Sequence, residues 1–181
     1  MSSRWRGGVT APAIVALLAA AVTTAAATVM TGEFGSASGA DPTAAAWRLV
    51  VRDARGVLHA TAEPPDGRFI LRYRNSVYGS LAEERFAISD DGRIILIGLA
   101  ADEVAVLGEY YGARQPRPAD GGDGRRWQAS PEEQVALETL RLAATDLGQR
   151  TLLVEGRPPI ELWQMVDDDA PNLTLAAERV P

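Results

Sequence analysis

The stretch from Arg68 to Leu99 constrains this chain most tightly. It reads Arg-Phe-Ile-Leu-Arg-Tyr-Arg-Asn-Ser-Val-Tyr, a break at Gly79-Ser80, then Glu-Glu-Arg-Phe-Ala-Ile, Asp-Asp-Gly-Arg and Ile-Ile-Leu-Ile-Gly-Leu. Alternation with period two puts Phe69, Leu71 and Tyr73 on one face and Ile70, Arg72 and Arg74 on the other. The first face is the expected core face, with the arginines toward solvent. In the next segment Glu84, Phe86 and Ile88 share a face, while the adjacent Glu83 and Glu84 must point apart and cannot act as one acid–base pair. Asp90–Arg93 has the Asp-Gly chemistry of a tight hairpin. The nearly unbroken apolar run from Ile94 to Leu99 predicts a strand covered on both faces.

Short segments of the same kind recur on either side. Trp47–Arg52 and Val57–Thr61 flank the turn residues Asp53–Gly56, and Pro64-Pro65-Asp66-Gly67 stops regular pairing before Arg68. Ala101–Tyr111 lacks alternation and predicts a short helix or an irregular crossing. Gly112–Gly124 reads as a long loop. Ser130-Pro131-Glu132-Glu133 has a capping serine, a proline at the first helical position and a glutamate three residues on, the signature of a helix start. Residues 131–147 therefore suit a helix by composition, yet Leu140, Leu142 and Ala144 also alternate as in a strand. Thr151–Glu155 and Ile160–Val166 form two further strands around Gly156–Pro159, and Leu173–Val180 forms the last. Seven to nine strands at this spacing predict a mainly β fold. The expected form is a single antiparallel β-sandwich or open barrel with one or two short helices, preceded by an N-terminal hydrophobic helix.

That leading helix is expected within residues 1–30, where Arg4 and Arg6 precede an apolar run from Val9 to Met30. A basic flank before an Ala/Val/Leu stretch is the pattern of a signal peptide or signal anchor. Thr10, Thr23, Thr24 and Thr28 dilute the run, and small residues allow cleavage after Ala27 or Ala40. Positive charge stays inside, so the remainder faces outward, secreted or anchored to the cell membrane. Residues 31–46, rich in Gly, Ser and Ala, read as a flexible linker to an extracytoplasmic β-rich domain at 47–181. The chain holds no cysteine, which excludes disulfides, thiolate metal sites and thiol nucleophiles. Beyond residue 40 there are 16 basic and 23 acidic side chains, a net charge of −7 that disfavours nucleic acid as a partner.

Few residues carry chemistry. His59 is the only histidine, so it supports no catalytic triad, and Asp167-Asp168-Asp169 lacks the spacing of a calcium loop. No metal or cofactor is expected. Arg72 and Arg74, two apart on one strand face, could hold a carboxylate between their guanidinium forks, as of a small anionic solute. Asn75-Ser76 interrupts a strand between Tyr73 and Tyr78, where packing alone favours β-branched residues. Either the strand bulges there or the polar side chains are hydrogen-bonded, to local backbone and Glu84 or to a ligand. Tyr73, Asn75, Ser76 and Glu84 are thus the candidate binding cluster, joined by Arg72 and Arg74.

The pattern Phe69-x-Leu71-x-Tyr73-x-Asn75-Ser76-Val77, then Glu83-Glu84-x-Phe86, then Asp91-Gly92 resembles the DUF-eighteen-fifty family. These are small exported proteins found beside TAXI-type TRAP transporters, and their pattern ends a strand in Tyr-x-His-Ser-Val. The similar layout extends over roughly Trp47–Val180. Asn75 stands where that family has histidine, so a hydrogen-bonding role carries over while a proton-transfer or metal role does not. The resemblance favours one helical turn followed by a strand within 131–147. It implies a non-enzymatic accessory or binding domain whose partner is a TRAP transporter permease or its solute-binding protein. The rival expectations are a cell-envelope hydrolase working through acidic residues and a purely structural envelope protein.

Overall fold

The computed structural model describes residues 47–119 and 124–180. The leader at 1–30 and linker at 31–46 lie outside the described residues. In chain order the elements are β1 (Trp47–Asp53), β2 (Leu58–Ala62), β3 (Arg68–Arg74), β4 (Leu81–Ile88), β5 (Ile94–Ala101), α1 (Val104–Tyr111), β6 (Arg117–Pro118) and β7 (Trp127–Ala129). They continue with β8 (Ala136–Leu137), β9 (Thr139–Ala143), β10 (Thr151–Leu153), β11 (Ile160–Glu161), a 3-10 turn at Leu162–Gln164 and β12 (Asn172–Arg179). All pairings are antiparallel. One open sheet runs β2-β1-β12-β9, the other β11-β10-β3-β4-β5-β7-β6, with β8 paired to β5.

Alternation decides what the sheets bury. Leu49, Val51, Leu142, Leu173 and Leu175 of the first sheet share a core with Phe69, Leu71, Phe86, Ile94 and Leu152 of the second. Phe69 and Phe86, directly opposed across β3 and β4, stack with centroids 5.1 Å apart. Each such side chain removed from water contributes about 1.5–3 kcal/mol, so the two-sheet core dominates stability. A smaller cluster gathers Tyr73, Leu99, Ala101, Val106 and Leu107 under α1. At the tip of the β4–β5 hairpin, Gly92 has φ +84°, and a Cβ there would lie 2.5 Å from the Trp47 ring. Only glycine fits both the turn and the ring packed on it.

Four expectations need correction. Residues 131–134 form no helical turn, and 136–143 is strand throughout apart from Glu138. The helix-start signal is local. It loses to β5, which takes up Ala136–Leu137, and to β12, on which Leu140 and Leu142 register against Leu175 and Leu173. The segment after Pro158-Pro159 pairs for only two residues and then winds into the 3-10 turn that buries Leu162. The apolar run of β5 is only half-buried from Ile95 to Gly98, and its ladder with β4 shifts register opposite Arg85/Phe86. Among the described residues twelve strands appear, five of them only two or three residues long, against the seven to nine expected.

Candidate functional site

The polar interruption after β3 builds a turn. Asn75 is buried at 2% exposure. Its Oδ1 accepts the backbone N–H groups of Val77 at 3.0 Å and Tyr78 at 3.1 Å. Its own N–H donates to the Ser80 carbonyl, and its carbonyl accepts from Gly79 N–H, both at 2.8 Å. Arg74 adds a bond from Nη1 to the Gly79 carbonyl at 2.9 Å. The turn is pinned from inside by one amide, which is why asparagine replaces a strand-former here. Ser76 lies exposed on the turn and forms no side-chain hydrogen bond among the described residues.

Glu84 anchors a separate network on the inward face of β4. Tyr111 Oη, at the end of α1, donates to Glu84 Oε1 at 2.7 Å, and Arg150 Nη1 donates to Oε2 at 3.1 Å. The Tyr73 and Tyr111 hydroxyls are 2.7 Å apart. With Tyr111 donating to the carboxylate, Tyr73 is the donor of that bond. The Arg150 guanidinium also lies 4.9 Å from the Tyr73 ring centroid, a cation–π contact. Gln149, with φ +46°, turns the backbone that delivers Arg150. Burial pushes the Tyr73 phenol up to about 12. Burial, and then the Glu84 charge, hold Tyr111 well above the usual phenol range. Both hydroxyls are therefore fixed donors at neutral pH, and the Glu84 carboxylate is bonded by Tyr111 at the end of α1 and by Arg150 just before β10.

Glu83 points to the opposite face, as alternation requires. Its side chain, 2% exposed, accepts from Arg72 Nε at 3.0 Å and lies 3.4 Å from Arg85 and 3.6 Å from Arg125. Arg125 Nη1 reaches Asp102 at 2.9 Å. Arg72 thus already holds a carboxylate of its own chain. Arg74 turns away to the Gly79 carbonyl and to Gln149 Oε1 at 3.4 Å, so the two guanidiniums do not converge on one point. The six residues singled out from sequence therefore fall into three places: Tyr73 with Glu84, Asn75 with Ser76 and Arg74 at the turn, and Arg72 with Glu83.

The turn and α1 meet at one pole. Tyr78 Oη donates to Glu109 Oε2 at 2.7 Å, and that bond raises the Tyr78 phenol. The same turn and helix carry exposed apolar side chains: Val77 at 69% on the turn, and Tyr110 at 46% and Val104 at 40% on α1. The 145–149 turn, tied to β3 by Arg74 N–H donating to the Gly148 carbonyl at 2.7 Å, brings Leu147, 63% exposed, to the same end of the molecule. Sequence reasoning missed Tyr110, Tyr111, Leu147 and Arg150. The Tyr110-Tyr111 pair at the end of an apolar segment was a usable signal; Arg150 offered none, being 66 residues from Glu84.

His59 is half-buried, its Nε2 3.4 Å from Asp53 Oδ2, and backbone N–H donation from Val57 is the largest cause holding the Asp53 carboxyl down at about 2. Among the described residues no serine or threonine hydroxyl is hydrogen-bonded to the pair. Among the described residues no group of three acidic or histidine side chains could hold a metal ion, and no helix is long and apolar enough to cross a membrane. No family model, curated protein or solved structure matches this chain.

Proposed function

We propose that this chain is an exported, non-enzymatic binding domain that engages a protein partner through the pole formed by Val77, Tyr78, Tyr110 and Leu147. The observation that carries this reading is the Asn75 turn. The two bonds of a buried amide, two backbone bonds and one from the Arg74 side chain hold Val77 and Tyr78 outward on the turn. Apolar groups gathered at one place on a surface mark interaction sites, and tyrosine favours them because it combines apolar area with a polar tip. The Glu84 network lies beneath, tying α1 to the sheet, so the pole is pre-organised and loses little freedom on binding. A carboxylate already bonded to Arg150 and Tyr111 is poorly placed to act as a general base, which favours binding over the hydrolase reading. The resemblance to the DUF-eighteen-fifty family names the partner: a TRAP-type permease or its solute-binding protein. In this reading the two sheets form a β-sandwich, and residues 1–30 are the signal or anchor that carries it outside the cytoplasm.

The test is site-specific photo-crosslinking in intact cells from positions 77 and 110, with position 135 as an exposed control. Adducts with a TRAP permease or its solute-binding protein, lost on Leu147→Asp, are expected. Equal yields from position 135, no adduct, or a protein confined to the cytosol would overturn the proposal.

A further inference from the structure

A second feature lies on the opposite face of the larger sheet, remote in origin from the pole. Leu153, Ile70, Arg85 and Gly98 stand side by side across β10, β3, β4 and β5. Gly98 presents no side chain, and the register shift leaves Ile97 as an extra residue of β5 with no partner on β4. The Arg85 stem lies beside Gly98, 3.6 Å from where a Cβ would stand, and a groove of about 380 Å3 is lined by the half-buried Ile70, Ile97 and Leu153. That volume is at the small end of ligand sites.

Charge selects the occupant. The groove is rimmed by Asp66, Arg68, Arg85 and Glu155. Arg68 pairs with Asp66 at 3.6 Å, and Arg85 lies 3.4 Å from Glu83, a carboxylate it shares with Arg72 and Arg125. Glu155 is exposed and forms no ion pair or hydrogen bond among the described residues. An apolar floor beside one unmatched carboxylate complements a molecule with an apolar body and a single ammonium group. The net charge of −7 beyond residue 40 draws cations to the domain and repels anions. From this geometry we infer that the groove binds small amphipathic amines, independently of the partner at the pole.

Three probes of matched shape test it on the full chain by amide NMR titration: 2-phenylethylamine, 2-phenylethanol and 3-phenylpropanoate. Ligands this small bind at about millimolar dissociation constants. The amine should bind about threefold to fivefold more tightly than the alcohol, the size of one exposed ion pair, and the carboxylate more weakly than either. Shifts should centre on Ile70, Ile97 and Leu153. Glu155→Gln, a surface change that leaves the core intact, should erase the amine's preference over the alcohol, while Leu147→Asp at the pole should leave it unchanged. Equal binding of amine and alcohol to the unaltered chain, shifts centred elsewhere, or an undiminished preference in the Glu155 variant would overturn the inference.

Discussion

Replacing Asn75 by alanine removes the buried side chain that closes the β3–β4 turn from inside. Two hydrogen bonds disappear, from Val77 N–H at 3.0 Å and Tyr78 N–H at 3.1 Å. A net value of about 1 kcal/mol per bond gives a loss of about 2 kcal/mol. The donors sit in an exposed turn where water can replace part of the acceptor, which keeps the figure from rising further. For a domain of this size 2 kcal/mol lowers the melting temperature by about 6–10 °C. Asn75→Asp keeps the acceptor and should recover at least half of the loss. Asn75→His can also accept through Nδ1, but only as neutral imidazole, so its folded-state pKa should fall below the ordinary value of about 6.5. The stability of the histidine variant should then be full above about pH 6.5 and decline as the pH falls through the depressed value. Thermal unfolding by circular dichroism between pH 5 and 8 reads all three. An alanine variant within 2 °C of the parent, or an aspartate variant as damaged as the alanine one, would refute the turn's dependence on that acceptor.

Other perturbations follow the same logic. Tyr111→Phe removes a donor to the buried Glu84 carboxylate and leaves the Tyr73 hydroxyl without its acceptor, so it should cost about 2 kcal/mol in urea unfolding, whereas Tyr73→Phe, at the end of the chain of bonds, should cost about half as much. Gly92→Ala meets both a φ of +84° and the Trp47 ring, and a loss of about 2 kcal/mol is expected, with Trp47 fluorescence altered in the native state. Tyr73 has its pKa raised to about 12, so its contribution is fully present below pH 10 and is lost as the pH rises toward 12. Ultraviolet titration should show Tyr73 ionising only near that upper limit, and Tyr111 later still or on alkaline unfolding.

Much of the sheet was legible from the chain itself. The alternation of Phe69, Leu71 and Tyr73 with Ile70, Arg72 and Arg74, the opposite facing of Glu83 and Glu84, and the Asp-Gly hairpin all follow from local stereochemistry. So did the sense that Asn75 interrupts a strand for a reason, because a buried amide needs partners nearby and found them within three residues. What lay beyond reach depended on distant segments. The helix-start signal at Ser130 was real as local chemistry, yet Leu140 and Leu142 gain more by registering on β12 than a capped turn offers. Likewise, nothing near Glu84 in the chain indicates that Tyr111 and Arg150 will converge on it, or that Arg72 will be claimed by Glu83. Sequence by itself determined which faces are apolar and where turns fall, since both are set within a few residues. Only the tertiary structure decided which charges meet and which apolar groups stay in water, because those depend on strand register and on which sheet each segment joins.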